Sequence, residues 1–260
     1  NIHLHLDLIA GLPYESYDRF QDSFNNVFSL QPHMLQLGFL KLLKGSEIYR
    51  QRHKHGYRFQ TRPPYQVLAN NYISYDEIIK LQQIEELLNR YYNKAIVPTT
   101  IAHAISTVYQ GSAFIFFEDF ALYWEENELF GRGHRRVKEY DILLEFLNYH
   151  WPDRKKEWNE LIKYDFLHRN LPNPFPKSIK RIKLEEGRDL LNTCLQDQSF
   201  LDSLPDSLPG TRQEIRKHLY LEHFAFNPFT FTPLDESLPL IFIYHPIKKK
   251  AVDVINAAEG

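Results

Sequence analysis

Asp7-Leu8-Ile9-Ala10-Gly11-Leu12-Pro13-Tyr14-Glu15 is the stretch from which the fold of this chain is read. Up to it the residues alternate. Ile2, Leu4, Leu6 and Leu8 fall on one face and His3, His5 and Asp7 on the other, at the two-residue period of a β-strand. Gly11-Leu12-Pro13 ends that strand, because glycine permits a tight exit and proline cannot donate to a ladder. From Glu15 the period changes, and Tyr17, Phe20, Phe24, Val27 and Phe28 lie on one stripe of a helix that Pro32 terminates. Met34 to Leu43 is then almost continuously apolar, as in a strand of a parallel sheet covered on both sides. Strand, helix, strand is a βαβ unit.

Beyond this unit, Lys44-Gly45-Ser46 turns the chain, Glu47 to His53 predicts a short helix, and Tyr65 to Tyr72 a further strand or extended edge. Helical signals then take over. Ser74 followed by Glu77 is a capping box, and Leu81, Ile84, Leu88 and Tyr91 share a stripe behind it. Further helices are predicted at about 98–109, 113–128, 136–150, 154–168 and 177–193, separated by Pro98, Gly111, Gly131-Arg132-Gly133, Pro152 and the segment from Pro172 to Pro176. After a Pro/Ser-rich connection at 203–210, Leu219 to Phe226 and Leu238 to His245 predict two strands joined by a long loop. Lys248-Lys249-Lys250 and the small residues after it read as a solvated terminus. The expected fold class is α/β followed by mostly α, with boundaries at 1–73, 74–200 for a helical domain, and 201–260 for a small β element and tail.

A chain of 260 residues can bury a sizeable core. Its 31 Lys and Arg against 33 Asp and Glu are mixed along the sequence, so no field gathers nucleic acid or an anionic membrane, and neither partner is expected. No apolar run approaches the roughly 20 residues needed to cross a bilayer. The single cysteine, Cys194, excludes an internal disulfide framework and a Cys-rich zinc or cluster site, which fits a reducing cytosol and a cytoplasmic location. Asn1-Ile2-His3-Leu4 has neither Met nor a leader pattern and starts inside a strand, which leads to the expectation of a fragment whose upstream part lies elsewhere.

Asp7 to Glu15, with Phe20 following, resembles the D-L-I-x-G-L-P-x-E segment of radical S-adenosylmethionine (radical SAM) enzymes, including cobalamin-binding ones. The resemblance runs through Pro32, Leu35 to Leu43 and Gly45-Ser46. Pro63-Pro64-Tyr65-Gln66-Val67-Leu68 is similar to the P-P-Y-E-V-L of one cobalamin-binding subgroup, with Gln66 in place of an acid. The helical block, including Tyr91-Tyr92-Asn93, resembles that subgroup's carboxy-terminal domain of unknown function.

This resemblance implies that residues 1–73 are the end of a partial TIM-type (β/α) barrel, a fold that meets ligands at the carboxyl ends of its strands. It implies a nucleoside pocket in which Asp7 holds ribose hydroxyls, Ile9 lies against adenine, Gly11 lets the backbone approach, and Leu40, Lys41 and Leu42 complete the wall. An ionised Asp is acceptor-only, so it can take two hydroxyls at once. The intact protein is then an iron–sulfur oxidoreductase that cleaves S-adenosylmethionine to a 5′-deoxyadenosyl radical with a reduced [4Fe–4S] cluster. The cluster motif C-x-x-x-C-x-x-C is absent here. The fragment is therefore expected to hold no cofactor by itself and to be inactive without its upstream part. Cobalamin is implied only through the subgroup, and the substrate is not legible.

Other readings compete. A second reading makes the helical block an interaction or substrate-docking module without chemistry. His3 and His5 could be a zinc pair of a metal-dependent hydrolase, against which both fill a polar barrel interior or are exposed. Asp7 has the alternative of capping the turn at Gly11. Glu15 reads as a first-turn helix acid, and His53, His55 and Arg58 as a solvated basic face. Phe114, Phe116, Phe117, Phe120, Tyr123 and Trp124 read as the core of a buried helix. The turn Gly131-Arg132-Gly133-His134-Arg135-Arg136 is read as bare rather than as an anion cradle, and Cys194 as an inert thiol. An edge strand presents unpaired backbone groups, so residues 1–10 are expected to be covered by another copy of the chain or by a rearranged segment of its own, with self-association in solution.

Overall fold

In a computed structural model that describes residues 3–182, 187–205, 207–208 and 210–257, the chain divides into two compact units, residues 1–95 with 104–131 and residues 96–103 with 132–260. Ile2 of the expected first strand lies outside the described residues, as do residues 183–186 of the helix expected at 177–193 and residues 206 and 209 of the connection before the last strands.

The first unit opens on β1 (His5–Ala10), which pairs in parallel with β2 (Met34–Phe39), Asp7 opposite Gln36 and Ile9 opposite Gly38. Between them runs α1 (Tyr17–Ser29), whose Phe20 and Phe24 are buried. Its N-cap is Ser16, whose Oγ accepts from the Arg19 N–H at 3.4 Å. Glu15 therefore precedes the helix and is not a first-turn acid. Strand β2 stops at Phe39 rather than Leu43, because β1 turns away at Gly11 and other backbone takes its place. Val67 N–H donates to the Leu40 carbonyl at 2.8 Å and Leu42 N–H to the Tyr65 carbonyl at 2.9 Å. A short α2 (Glu47–Arg50) precedes β3 (Arg58–Phe59) and β4 (Val67–Ala69), an antiparallel pair.

The capping box at Ser74 and Glu77 starts α3 (Tyr75–Leu87), which widens into a π turn over Leu88–Tyr92. The Asn93 amide that follows takes both backbone groups of Leu35, each at 2.9 Å, and so occupies the outer edge of β2 as a neighbouring strand would. Next come α4 (Pro98–Thr107), divided between the two sets of residues, and α5 (Ala113–Glu126). On α5, Phe114, Phe116, Phe117, Phe120 and Trp124 are fully buried, as a helix apolar nearly all round requires. Phe114 meets the Phe24 ring edge-on at 5.6 Å.

The second unit contains α6 (Arg136–His150), a 3-10 turn at Pro152–Arg154, α7 (Lys155–Arg169), α8 (Gly187–Cys194), α9 (Gln198–Ser203) and α10 (Arg212–Arg216). Its sheet has the antiparallel order β5 (Leu219–Asn227), β6 (Thr232–Tyr244), β7 (Ala251–Asn256). Three expectations change here. The long loop before the last expected strand is a tight turn, because Asn227 Oδ1 accepts from the N–H groups of Phe229 and Thr230, and β6 runs through Pro233 and Pro239. The solvated tail is a third strand. Its lysines form the preceding turn, where His245 Nδ1 accepts from the N–H groups of Ile247 and Lys248, each at 3.1 Å.

Third, residues 177–182 are not helical. Ser178 donates its N–H and hydroxyl to Asp141 Oδ1 at 2.9 and 2.5 Å, while the Asn159 amide exchanges hydrogen bonds with the N–H and carbonyl of Lys180. Backbone groups met in this way have no need of a helix. Two buried polar groups tie α7 to its surroundings. Asp165 accepts from the N–H groups of Thr99 and Thr100, and Lys163, with no exposed surface, lies 2.9 Å from Glu160 Oε2 and donates to the His223 carbonyl at 2.6 Å.

The architecture is thus mixed α/β with helices predominating around small sheets, and no closed barrel among the described residues. Gly11 has φ +89°, and a Cβ there would stand 2.7 Å from Val67 Cγ1. Gly11→Ala is expected to lower the unfolding free energy by about 1–3 kcal/mol in urea titration, and an unchanged midpoint would refute the strain. Lys163→Met leaves Glu160 buried without its partner, so a loss of about 3–5 kcal/mol is expected. The double variant with Glu160→Gln should recover part of it in the same titration.

Candidate functional site

The carboxyl ends of β1 and β2 frame a groove of about 490 Å³ lined by Asp7, Ile9, Gln36, Gly38, Leu40 and Lys41, together with Gln66. Residues paired across two strands point to the same side of a sheet, so Asp7 stands beside Gln36 and Ile9 beside Gly38. The Asp7 side chain is 66% exposed, and its Oδ1 lies 3.2 Å from His5 Nε2. Ile9 is 47% exposed, unusual for an aliphatic strand residue. Gly38 leaves room beside it, since a Cβ there would meet only the Leu8 carbonyl, at 3.6 Å. Lys41 is held to Gln66 by an antiparallel bridge. The groove therefore offers a carboxylate acceptor, an apolar wall and a cation.

Of the residues singled out from sequence, Asp7, Ile9, Leu40 and Lys41 come together on this groove. Gly11 and Leu42 support it from behind: Leu42 is fully buried, and the Gly11 carbonyl accepts from the Tyr57 hydroxyl at 2.9 Å and the Asn70 amide at 3.0 Å. Burial pushes the Tyr57 hydroxyl up to about 12, so it keeps its proton for that bond at neutral pH. Sequence reasoning missed Gln36, Gly38 and Gln66. The first two follow once the strand register is known, and the register was the missing signal.

The remaining candidates are dispersed. His3 lies against the His33 ring at 4.7 Å, and no group of three or more His, Cys, Asp or Glu among the described residues could share a metal ion. His55 is not on a solvated face. It is 2% exposed, with Nδ1 3.2 Å from the Tyr72 hydroxyl and Nε2 3.3 Å from Gln51 Oε1. Tyr14, at φ +66°, sets its exposed ring edge-on to His55 at 5.2 Å. Burial raises the Glu15 carboxyl, whose Oε1 accepts from the Ser23 hydroxyl at 3.4 Å. Arg135, at the end of the glycine turn, is the N-cap of α6 without a side-chain capping bond. Cys194 is buried and its thiol is raised by burial, which suits an unreactive sulfur.

No helix among the described residues is long and apolar enough to cross a membrane. A comparison with curated proteins finds no match. A family described as "Protein of unknown function (DUF4080)" matches over residues 53–237. That match takes in well over half of the 260 residues, and the chain belongs to the DUF4080 family.

Proposed function

We propose that this chain is the nucleoside-binding part of a cytoplasmic radical SAM iron–sulfur oxidoreductase, with β1 and β2 as late strands of a partial TIM-type barrel. The groove at the strand ends carries this reading, because its composition fits an S-adenosyl nucleoside. Asp7 would accept from the ribose hydroxyls, Ile9 would lie against the adenine face in the space that Gly38 leaves, and Leu40 with the stem of Lys41 would close the wall. Membership of DUF4080 adds support, since that domain is found in cobalamin-binding radical SAM proteins. S-adenosylmethionine supplies a 5′-deoxyadenosyl radical when reductively cleaved. This chain has one cysteine and cannot furnish the thiolates of a cluster, so its own task is to bind and orient the nucleoside.

A second reading, a helical substrate-docking module without chemistry, is favoured by the position of the family match. Residues 53–237 include the helices and leave out Asp7 to Lys41.

Equilibrium binding of S-adenosylmethionine to the full-length protein tests the first reading. Asp7→Ala is expected to weaken it by about 1.5–3 kcal/mol, roughly 10- to 150-fold, through loss of hydrogen bonds to a charged acceptor. The absorbance of any bound cluster should not change. Wild-type affinity in this variant would assign Asp7 to structure and leave the docking reading standing.

A further inference from the structure

The second unit holds a cavity of about 260 Å³ whose rim is strongly cationic. Lys155 and Lys156 at the start of α7, with Lys180 and Arg181 from the extended segment opposite, line it against a single carboxylate, Glu160. That carboxylate is already engaged. Its Oε1 accepts from Asn159 and Lys163, and its Oε2 from the Ala225 N–H at 2.9 Å. Arg181 is likewise paired, 2.8 Å from Glu222 Oε2. Among the described residues, Lys155, Lys156 and Lys180 have no carboxylate at ion-pair distance.

Two further observations point to a ligand. Arg154, Lys155 and Lys156 stand in succession at the amino end of a 15-residue helix, where the aligned peptide dipoles disfavour cations. Arg154 finds relief in Glu157 at 3.0 Å; the two lysines do not. Independently, Asn148 Oδ1, on the same lining, is buried with no hydrogen-bond partner among the described residues. A buried acceptor of this kind calls for a donor.

We infer that this cavity binds a small phosphorylated compound, a phosphate monoester bearing a hydroxyl group, which no reading of the groove at β1 and β2 requires. The lysines would neutralise the phosphoryl oxygens through charge-assisted hydrogen bonds, the helix dipole would add to their field, and the hydroxyl would donate to Asn148 Oδ1.

Calorimetric titration of the protein with glycerol 3-phosphate and pyrophosphate, against sulfate and acetate at constant ionic strength, is the test. Saturable binding of both phosphate compounds at one site per chain is expected, with sulfate much weaker. Lys156→Gln combined with Lys180→Gln should weaken both by about tenfold or more, since charge-assisted bonds are lost, without lowering the melting temperature of the ligand-free protein, since both side chains are exposed and Lys156 opposes the helix dipole. Asn148→Leu should weaken glycerol 3-phosphate and spare pyrophosphate, which has no hydroxyl donor of that kind. Absence of saturable heat, equal binding of sulfate as at an adventitious ion site only, or wild-type affinity in the double lysine variant would each overturn the inference.

Discussion

Two hydrogen bonds converge on the carbonyl oxygen of Gly11, from the Tyr57 hydroxyl and the Asn70 side chain, and the strand ends of the first unit are arranged around them. Asn70 also works in the other direction, its Oδ1 accepting from the N–H groups of Tyr72 and Ile73 at 2.8 and 3.0 Å. The chain therefore passes from this clasp directly into the Ser74 capping box and α3. Glycine at position 11 lets Val67 come against the turn, and Val67 N–H reaches the Leu40 carbonyl. That bond places Gln66 across from Lys41. The groove is thus shaped by a residue that does not line it, and its geometry rests on a left-handed backbone conformation that other residues adopt only at a cost.

The second unit relies on a different device. Removing an ammonium and a carboxylate from water is expensive unless each is fully engaged, and around Glu160 and Lys163 both are. Lys163 Nζ has the Glu160 carboxylate, the His223 carbonyl and the Phe224 ring at 4.4 Å; Glu160 has Asn159, Lys163 and the Ala225 N–H. The pair stitches α7 to β5, and Asn159 next to it clasps the segment at Lys180. The carboxylate that lines the cavity, Glu160, is thus neutralised within the protein, which leaves Lys155, Lys156 and Lys180 to set the local field.

The βαβ unit, the capping box and the aromatic helix were legible because each is a local pattern: alternation through Leu8, the pair Ser74 and Glu77, and the run from Phe114 to Trp124. What escaped was decided by partners distant in sequence. Leu40, Leu42 and Leu43 are as apolar as the rest of the run, yet leave the strand because, past the last bond of Leu40 N–H to the Ala10 carbonyl, Tyr65 and Val67 become the neighbours. Ser178 to Lys180 carry no mark of an extended segment; Asp141 and Asn159 impose it. His55 reads as one of a basic cluster, and only the fold encloses it beneath Tyr14 and Tyr72. The strand Ala251–Asn256 is short and follows directly on three lysines, so its pairing with β6 had no local signature. In the groove, Asp7 and Ile9 were found by motif, whereas Gln36 and Gly38 are defined by register alone.

Where the family match falls separates the two sites. Every residue lining the cationic cavity, from Asn148 to Ala225, lies within residues 53–237, whereas the groove contributes only Gln66 to that span. Membership of DUF4080 therefore bears on the fold that builds the cavity and is silent about the chemistry of Asp7. The groove combines two parallel strand ends with an exposed Ile9 and a carboxylate; the cavity combines unbalanced positive charge with an amide oxygen that has no hydrogen-bond partner among the described residues. The two linings share no residue, so binding at one does not require binding at the other.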